Sequence, residues 1–326
     1  MNAGARVVLR VVLGFLVSAV ALWLALRSID IDRTLDILGR AAPVGIAALL
    51  LLIWLDVSVR SLRWGRLIDP VQHVPWPRML AYMLIGYLAN NVLPARLGEF
   101  VRSHYLGDRE GISRAAALGT VVVERVIDIA CVVLIGAAAL LALHGSPALL
   151  RGLGVSVLAV GLLVAAILVL LHGHRLPGAA RIVTAVDRWP AVRRLVTRLR
   201  VGVRVVQRPS TLLEATLLTV LAWLIGCLVF LAAAAAIGVP LSLLQAAVLS
   251  SGIALASAIP AGPGYIGTYE LAGVTVGTAL GLSADQALAL SLIVHAAILG
   301  VTSGGGLVAL QHIGWSRTRE RRLAPR

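Results

Sequence analysis

Six stretches of the chain are apolar runs long enough for a helix to cross a bilayer: 8–26, 41–59, 115–143, 153–172, 212–237 and 286–311. Such a crossing takes about 20 mostly apolar residues. Two further apolar stretches, 79–93 and 243–281, are interrupted. The first breaks at NNVLPARLGEF (Asn90 to Phe100) and the second at AIPAGPGYIGTYE (Ala258 to Glu270). Proline removes a helical donor and glycine loosens the backbone, so a helix ends at such segments. The pattern predicts an all-α polytopic membrane protein.

Arginine in the connecting segments sets the orientation. Segment 173–210 carries nine arginines against Asp187, segment 60–78 four against Asp69, and the tail 312–326 five against Glu320. These read as cytoplasmic. Segment 27–40 balances three arginines with three aspartates and 144–152 holds only Arg151, so both read as external. The assignments agree only if 79–93 enters and leaves from the cytoplasm and 243–281 enters and leaves from outside. The expectation is therefore six full transmembrane helices plus two re-entrant helical hairpins. They form a single integral membrane domain over 1–326, with inverted halves at about 1–145 and 150–312 and a cytoplasmic tail at 313–326. Eight plain spans with two kinks are the alternative. Broken helices at matching places of inverted halves point to a transport site near the midplane.

Composition sharpens the class. Hydrophobic residues make up 59% of the chain and charged ones 13%, with a mean hydropathy of +0.94, which excludes a soluble globule. All 29 basic residues are arginine, against 15 acidic ones, for a net charge of +14. That charge lies on the segments placed inside, so no nucleic-acid partner is expected, and the membrane interior is left slightly acidic. Arg193, Arg194, Arg198, Arg204 and Arg208 alternate with apolar residues at helical spacing. This fits a helix lying on anionic headgroups at the cytoplasmic face, or a basic loop that fixes topology. The N-terminal apolar run meets Arg27, Asp30 and Asp32 without a small-residue cleavage site, so a retained span is expected. Cys131 and Cys227 lie in apolar runs and indicate no disulfide framework. The histidines, His295 among them, form no metal set, and no cofactor motif is present. The absence of lysine suits a high-GC bacterial genome, and hence a bacterial inner membrane with both termini cytoplasmic.

The candidate chemistry is the polar minority inside apolar runs, where each charge costs about 2.5–3.5 kcal/mol on insertion scales. Glu124 and Asp128 are four apart on one helix face, and Arg125 projects about 100° away, towards another helix. They hold a headgroup or a proton, or form a structural pair with Arg96 or Arg102. Asp56 has Arg60 one turn on, which an interfacial pair explains. Glu270 begins a helix after a glycine-rich break, and caps it or binds a proton or a cationic group. At the cytoplasmic break, Arg96 and Arg102 are suited to a lipid phosphate, and Asn90 and Asn91 to exposed backbone groups. At the external break, Gly262, Gly264 and Gly267 offer amides to an anion.

The order Asn90, Pro94, Arg96, Gly98, Glu99, Arg102, followed by Glu124, Arg125 and Asp128, resembles the lysylphosphatidylglycerol synthase transmembrane-region family. The later Pro260, Pro263, Gly264, Gly267 and Glu270 fit that family's second motif. The resemblance implies a role like the flippase half of the bacterial multiple peptide resistance factor, which moves an aminoacylated phospholipid between leaflets, with these residues lining the path. It implies a membrane lipid as substrate, polyprenyl-linked sugars included, and a lipid-modifying enzyme as a partner. The family's aminoacyl transfer belongs to a separate soluble domain, so the chain is not expected to be an enzyme. The rival readings are a lipid-phosphate phosphatase using Ser250, Ser251 or Ser257, and a partner that presents lipid to a glycosyltransferase.

Overall fold

The computed structural model describes residues 3–27, 29–93, 97–144, 208–257 and 261–323, with a few positions between 151 and 169. Helix α1 (Ala3–Leu26) turns by 87° into the short α2 (Ile31–Gly39), whose N-terminus is capped by the Asp30 carboxylate on the Arg33 amide. Then come α3 (Pro43–Ile68), α4 (Trp76–Val92), α5 (Gly98–Glu110) and α6 (Arg114–Ala142). The second part holds α7 (Pro209–Ala236), α8 (Leu243–Ala256), a 3₁₀ turn at Pro263–Tyr265, α9 (Thr268–Ala279) and α10 (Ala284–Leu323). Among the described residues, four helices are long and apolar enough to cross a membrane: α3, α6, α7 and the Ala284–Ile313 part of α10. The predicted span 153–172, the basic segment 173–210 with its surface helix, and the breakpoint between the halves lie largely outside the described residues.

Local chemistry explains the boundaries. Pro43 and Pro209 open α3 and α7, where the first turn needs no donor. Ser242 and Gln245 exchange side-chain and backbone bonds at the start of α8, and Ser283 and Gln286 do the same before α10. Large apolar side chains such as Leu134 of α6 and Leu217, Leu221, Leu224 and Leu228 of α7 face outward, an apolar exterior suited to lipid.

Both interrupted stretches fold as antiparallel helix pairs. At the base of the first, the Gln72 amide donates to the Glu110 carbonyl at 3.0 Å, and Tyr82 donates to the Glu110 carboxylate at 2.7 Å. At the base of the second, Gln245 donates to the Leu280 carbonyl at 3.1 Å. The packing is reciprocal: α4 of the first pair lies against α10, and α8 of the second lies against α6. Helices α3 and α7 pack along each other between them. At one end Gly45 lets them approach so closely that a Cβ there would lie 2.5 Å from that of Ala236.

Candidate functional site

Among the described residues, the membrane-embedded charges other than Glu270 meet in one place. Sequence pattern ends the second span at 59, but α3 runs on to Ile68, which carries Arg60 and Arg63 into the bundle. Helical spacing sets both on the face of Asp56, and that face meets α6. Arg63 is fully buried; it bonds Asp128 Oδ1 at 2.5 Å, lies 2.9 Å from Glu124 Oε1, and donates to Thr219 Oγ1 of α7 at 3.0 Å. Arg102 of α5 reaches the same Glu124 oxygen at 3.0 Å. Asp56 holds Arg60 Nε at 2.7 Å, and Arg60 Nη1 lies 3.8 Å from Asp128.

Three expectations need correction here. The interior is not left acidic, because Arg60, Arg63 and Arg102 compensate it from within. Arg125 does not leave for another helix; its long side chain folds back to bond Glu124 and to reach Asp128 Oδ2 at 3.0 Å. Reach, rather than the direction of the Cα–Cβ bond, decides its partner. Arg102 does not stand free for a phosphate alone, although it lines the cavity. Its guanidinium is committed to Glu124 and to the Met83 sulfur at 2.9 Å, and it lies over the Trp64 ring at 4.5 Å.

Beside this cluster lies a cavity of roughly 300 Å³ at the meeting of the two helix pairs. Asp56, Arg60, Glu99, Arg102 and Arg125 line its charged end, with Trp223 of α7, whose ring lies 5.0 Å from the Arg60 guanidinium. Ile53, Val57, Phe230, Ile253 and Ile298 give it apolar walls, and Tyr265, Tyr269 and His295 lie on its far side. Asn90, Asn91 and Gly98 complete the lining from the first tip. Asn90 accepts from the Gly98 amide at 2.7 Å, the backbone role expected for it. Asn91 instead ties α4 to α10, donating to Thr302 and Ser303 at 2.9 Å. Three buried polar atoms on lining residues have no hydrogen-bond partner among the described residues: Glu99 Oε2, Arg125 Nε and Trp223 Nε1. Arg125 is the most exposed of the cluster's arginines, at 37% of its side chain.

The second tip is held internally. The Gly262 amide donates to Ser18 Oγ at 3.0 Å and the Gly267 amide to Glu270 Oε2 at 2.6 Å, so these amides are not available to an anion. Glu270 caps α9, as its position suggests. Gly267 has φ +91° and lies so near α1 that a Cβ would stand 2.2 Å from the Ser18 carbonyl oxygen, so no other residue fits. His295 Nδ1 lies 2.6 Å from Glu270 Oε1 and its Nε2 lies 2.7 Å from the Gly264 carbonyl oxygen. Its ring stacks on Tyr269 with centroids 4.1 Å apart.

Glu124, Asp128 and Glu270 thus stand one layer behind the cavity wall, bonded to the residues that line it. Pro263 and Gly264 lie in the 3₁₀ turn, while Pro94, Arg96 and Pro260 fall outside the described residues. Sequence pattern singles out none of Arg63, Trp223 and Tyr269, and gives Arg60 only an interfacial pair with Asp56 and His295 no metal partner. The signal for the arginines was their helical spacing from Asp56; His295 gave none, since its partner is 25 positions away.

Residues 11–306 match the family described as Lysylphosphatidylglycerol synthase TM region. The chain is similar to the glycosyltransferase AglD of Haloferax volcanii, with 29% identity over 136 residues, covering 40% of this chain and 22% of that protein. It is also similar to a UPF0104 membrane protein of Methanocaldococcus jannaschii, with 30% identity over 105 residues, 31% of each chain. It therefore spans a third or less of the length of these two relatives. The extent of the family match, together with the apolar helices, identifies a multi-pass membrane protein that belongs to the lysylphosphatidylglycerol synthase transmembrane-region family.

Proposed function

We propose that the chain is a flippase-like transporter that moves a lipid headgroup between the leaflets of a bacterial inner membrane, and is not an enzyme. One observation carries this reading: Glu99 Oε2, Arg125 Nε and Trp223 Nε1, without partners among the described residues, on the wall of a cavity inside a membrane bundle. Each such buried group costs about 1–3 kcal/mol unless something satisfies it. Two donors suit a phosphate, and one acceptor beside them suits an ammonium or hydroxyl. A phospholipid or polyprenyl-linked headgroup that bears both matches the set, and the apolar walls are compatible with its chain. The antiparallel pairs α4–α5 and α8–α9, with their reciprocal packing, support two re-entrant hairpins in inverted halves, and the arginine-rich segments favour both termini cytoplasmic.

The phosphatase alternative is weakened by His295. Both its ring nitrogens are engaged, so it is not free to activate Ser250 or Ser257 across the cavity. The likeness to a Haloferax glycosyltransferase favours one second reading, a partner that presents lipid to a glycosyltransferase. The test is leaflet exchange in proteoliposomes carrying fluorescent lipids of several headgroups. Exchange of phosphate-bearing lipids above empty liposomes is expected; no exchange of any lipid overturns the transporter reading.

A further inference from the structure

The Glu270–His295 pair has a proton count that its geometry dictates. A carbonyl oxygen can only accept, so the 2.7 Å contact to Gly264 requires a hydrogen on Nε2. A neutral imidazole then presents a bare lone pair at Nδ1, facing Glu270 Oε1 at 2.6 Å. Two lone pairs at that distance repel, so a second proton must lie between them, on either the ring or the carboxyl. The other carboxylate oxygen accepts from the Gly267 amide, which holds Glu270 in place. Glu270 and His295 are 3% and 4% exposed, yet the His295 ring lines the cavity.

We propose that Glu270 and His295 form a proton-binding site whose loading seats the tip of the second helix pair against α10. Loaded, the pair carries imidazolium and carboxylate, or their neutral tautomers, and ties α10 to both the 3₁₀ turn and the start of α9. Loss of the shared proton to water in the cavity leaves a neutral ring against a carboxylate. The Nδ1–Oε1 contact then separates, and the tip loses a tie to α10. Uptake of one proton from water restores it. The site thus supplies a coupling ion for the movement of a lipid headgroup.

The groups around the pair leave it as the site of this change. From α9, Tyr269 stacks on the ring, and Tyr265 of the turn and Tyr87 of α4 share the cavity. The charged residues on the cavity wall have partners of their own: Asp56 and Arg60 of α3 bond each other, Arg102 of α5 and Arg125 of α6 bond Glu124, and Glu99 of α5 lies on the same wall. Helices α7 and α8 contribute no acid or base to the wall, and α1, which packs on the tip, has none between residues 12 and 26. Asp285, which meets Arg33 and the Asp30 amide beside α2, is ten residues from His295, about 15 Å along α10. By contrast, the acids Glu124 and Asp128 each face arginines rather than a histidine.

Glu270→Gln is the diagnostic variant. Its carbonyl can still accept from Gly267, and its amide can donate to Nδ1 of a neutral ring. All three bonds survive without the titrating proton. The assignment of a proton site stands apart from transport; its coupling to lipid movement rests on the transporter reading. The first measurement is pH-difference infrared spectroscopy of the reconstituted protein. A carboxyl or imidazole band is expected in the wild type and lost in both Glu270→Gln and His295→Phe. Identical difference spectra in wild type and Glu270→Gln overturn the proton site, whether or not lipid moves. The second is lipid exchange under an imposed pH gradient. A wild-type rate that responds to the gradient, and a Glu270→Gln rate that does not, supports coupling. Equal responses in both overturn coupling while leaving the transporter reading intact.

Discussion

Gly98 and Gly86 cross so closely that a Cβ on Gly98 would lie 2.0 Å from the Gly86 carbonyl oxygen. This contact joins α5 to α4 at the tip of the first helix pair, beside the bond from the Gly98 amide to Asn90. Real Cβ atoms do not tolerate such a distance, and the obstacle is backbone. Gly98→Ala is therefore expected to push the two helices apart and cost about 1–3 kcal/mol or more, as overpacking does. The check is a lowered Tm and a lower monodisperse yield in detergent, against an unchanged Gly39→Ala control, which meets nothing within 4 Å.

Glu124 faces Arg63, Arg102 and Arg125 at once. Glu124→Ala strands these charges, and breaking a buried pair in this way costs about 3–5 kcal/mol. The expected result is loss of folded protein rather than a folded but inactive transporter, read as aggregation by size-exclusion chromatography. A well-folded Glu124→Ala protein with normal Tm contradicts the anchoring role.

Glu99 and Arg125 belong to the ligand side of the same cluster. A hydrogen bond to a charged group contributes about 1.5–3 kcal/mol, so each of Glu99→Gln and Arg125→Gln is expected to weaken lipid binding by about tenfold or more. Their effects should differ by headgroup. Arg125→Gln impairs every phosphate-bearing lipid, whereas Glu99→Gln impairs lipids with an ammonium or hydroxyl donor most. Exchange assays with matched lipids check this; equal effects on all headgroups contradict the division of roles.

Topology is open to a chemical test because Cys131 and Cys227 are both buried and give little background. Cysteines in place of the exposed His73 and Ser113, at the base of the first helix pair, should label from the cytoplasm together. One in place of the exposed Pro240, before the second pair, should label from the opposite side. Labelling of positions 73 and 113 from different faces contradicts re-entry.

The breaks in the helices were legible in the sequence because proline and glycine act locally, as was the cap of α9 by Glu270, three residues from the amide it binds. The partners were not. Arg63 meets Asp128 across 65 positions and His295 meets Glu270 across 25, and no local rule pairs residues at such distances. Composition alone places Arg63 in a cytoplasmic loop and Arg60 at its edge, because loop arginines and helix-end arginines look the same, and only the continuation of α3 to Ile68 separates them. Arg125 was misplaced because a projection angle describes the Cβ, not the end of a flexible guanidinium arm.

The burial of Arg63 also bears on how the protein is made. Asp56 on its own helix is engaged by Arg60, and the carboxylates that neutralise Arg63, Glu124 and Asp128, are synthesised some sixty residues later. During that interval α3 carries a cation into the membrane without its counter-charge, at a cost of about 2.5–3.5 kcal/mol if it faced lipid alone. Arg63 thus gains its counter-charges only once α6 has joined α3, so its burial belongs to the tertiary assembly of this half rather than to the insertion of α3 alone.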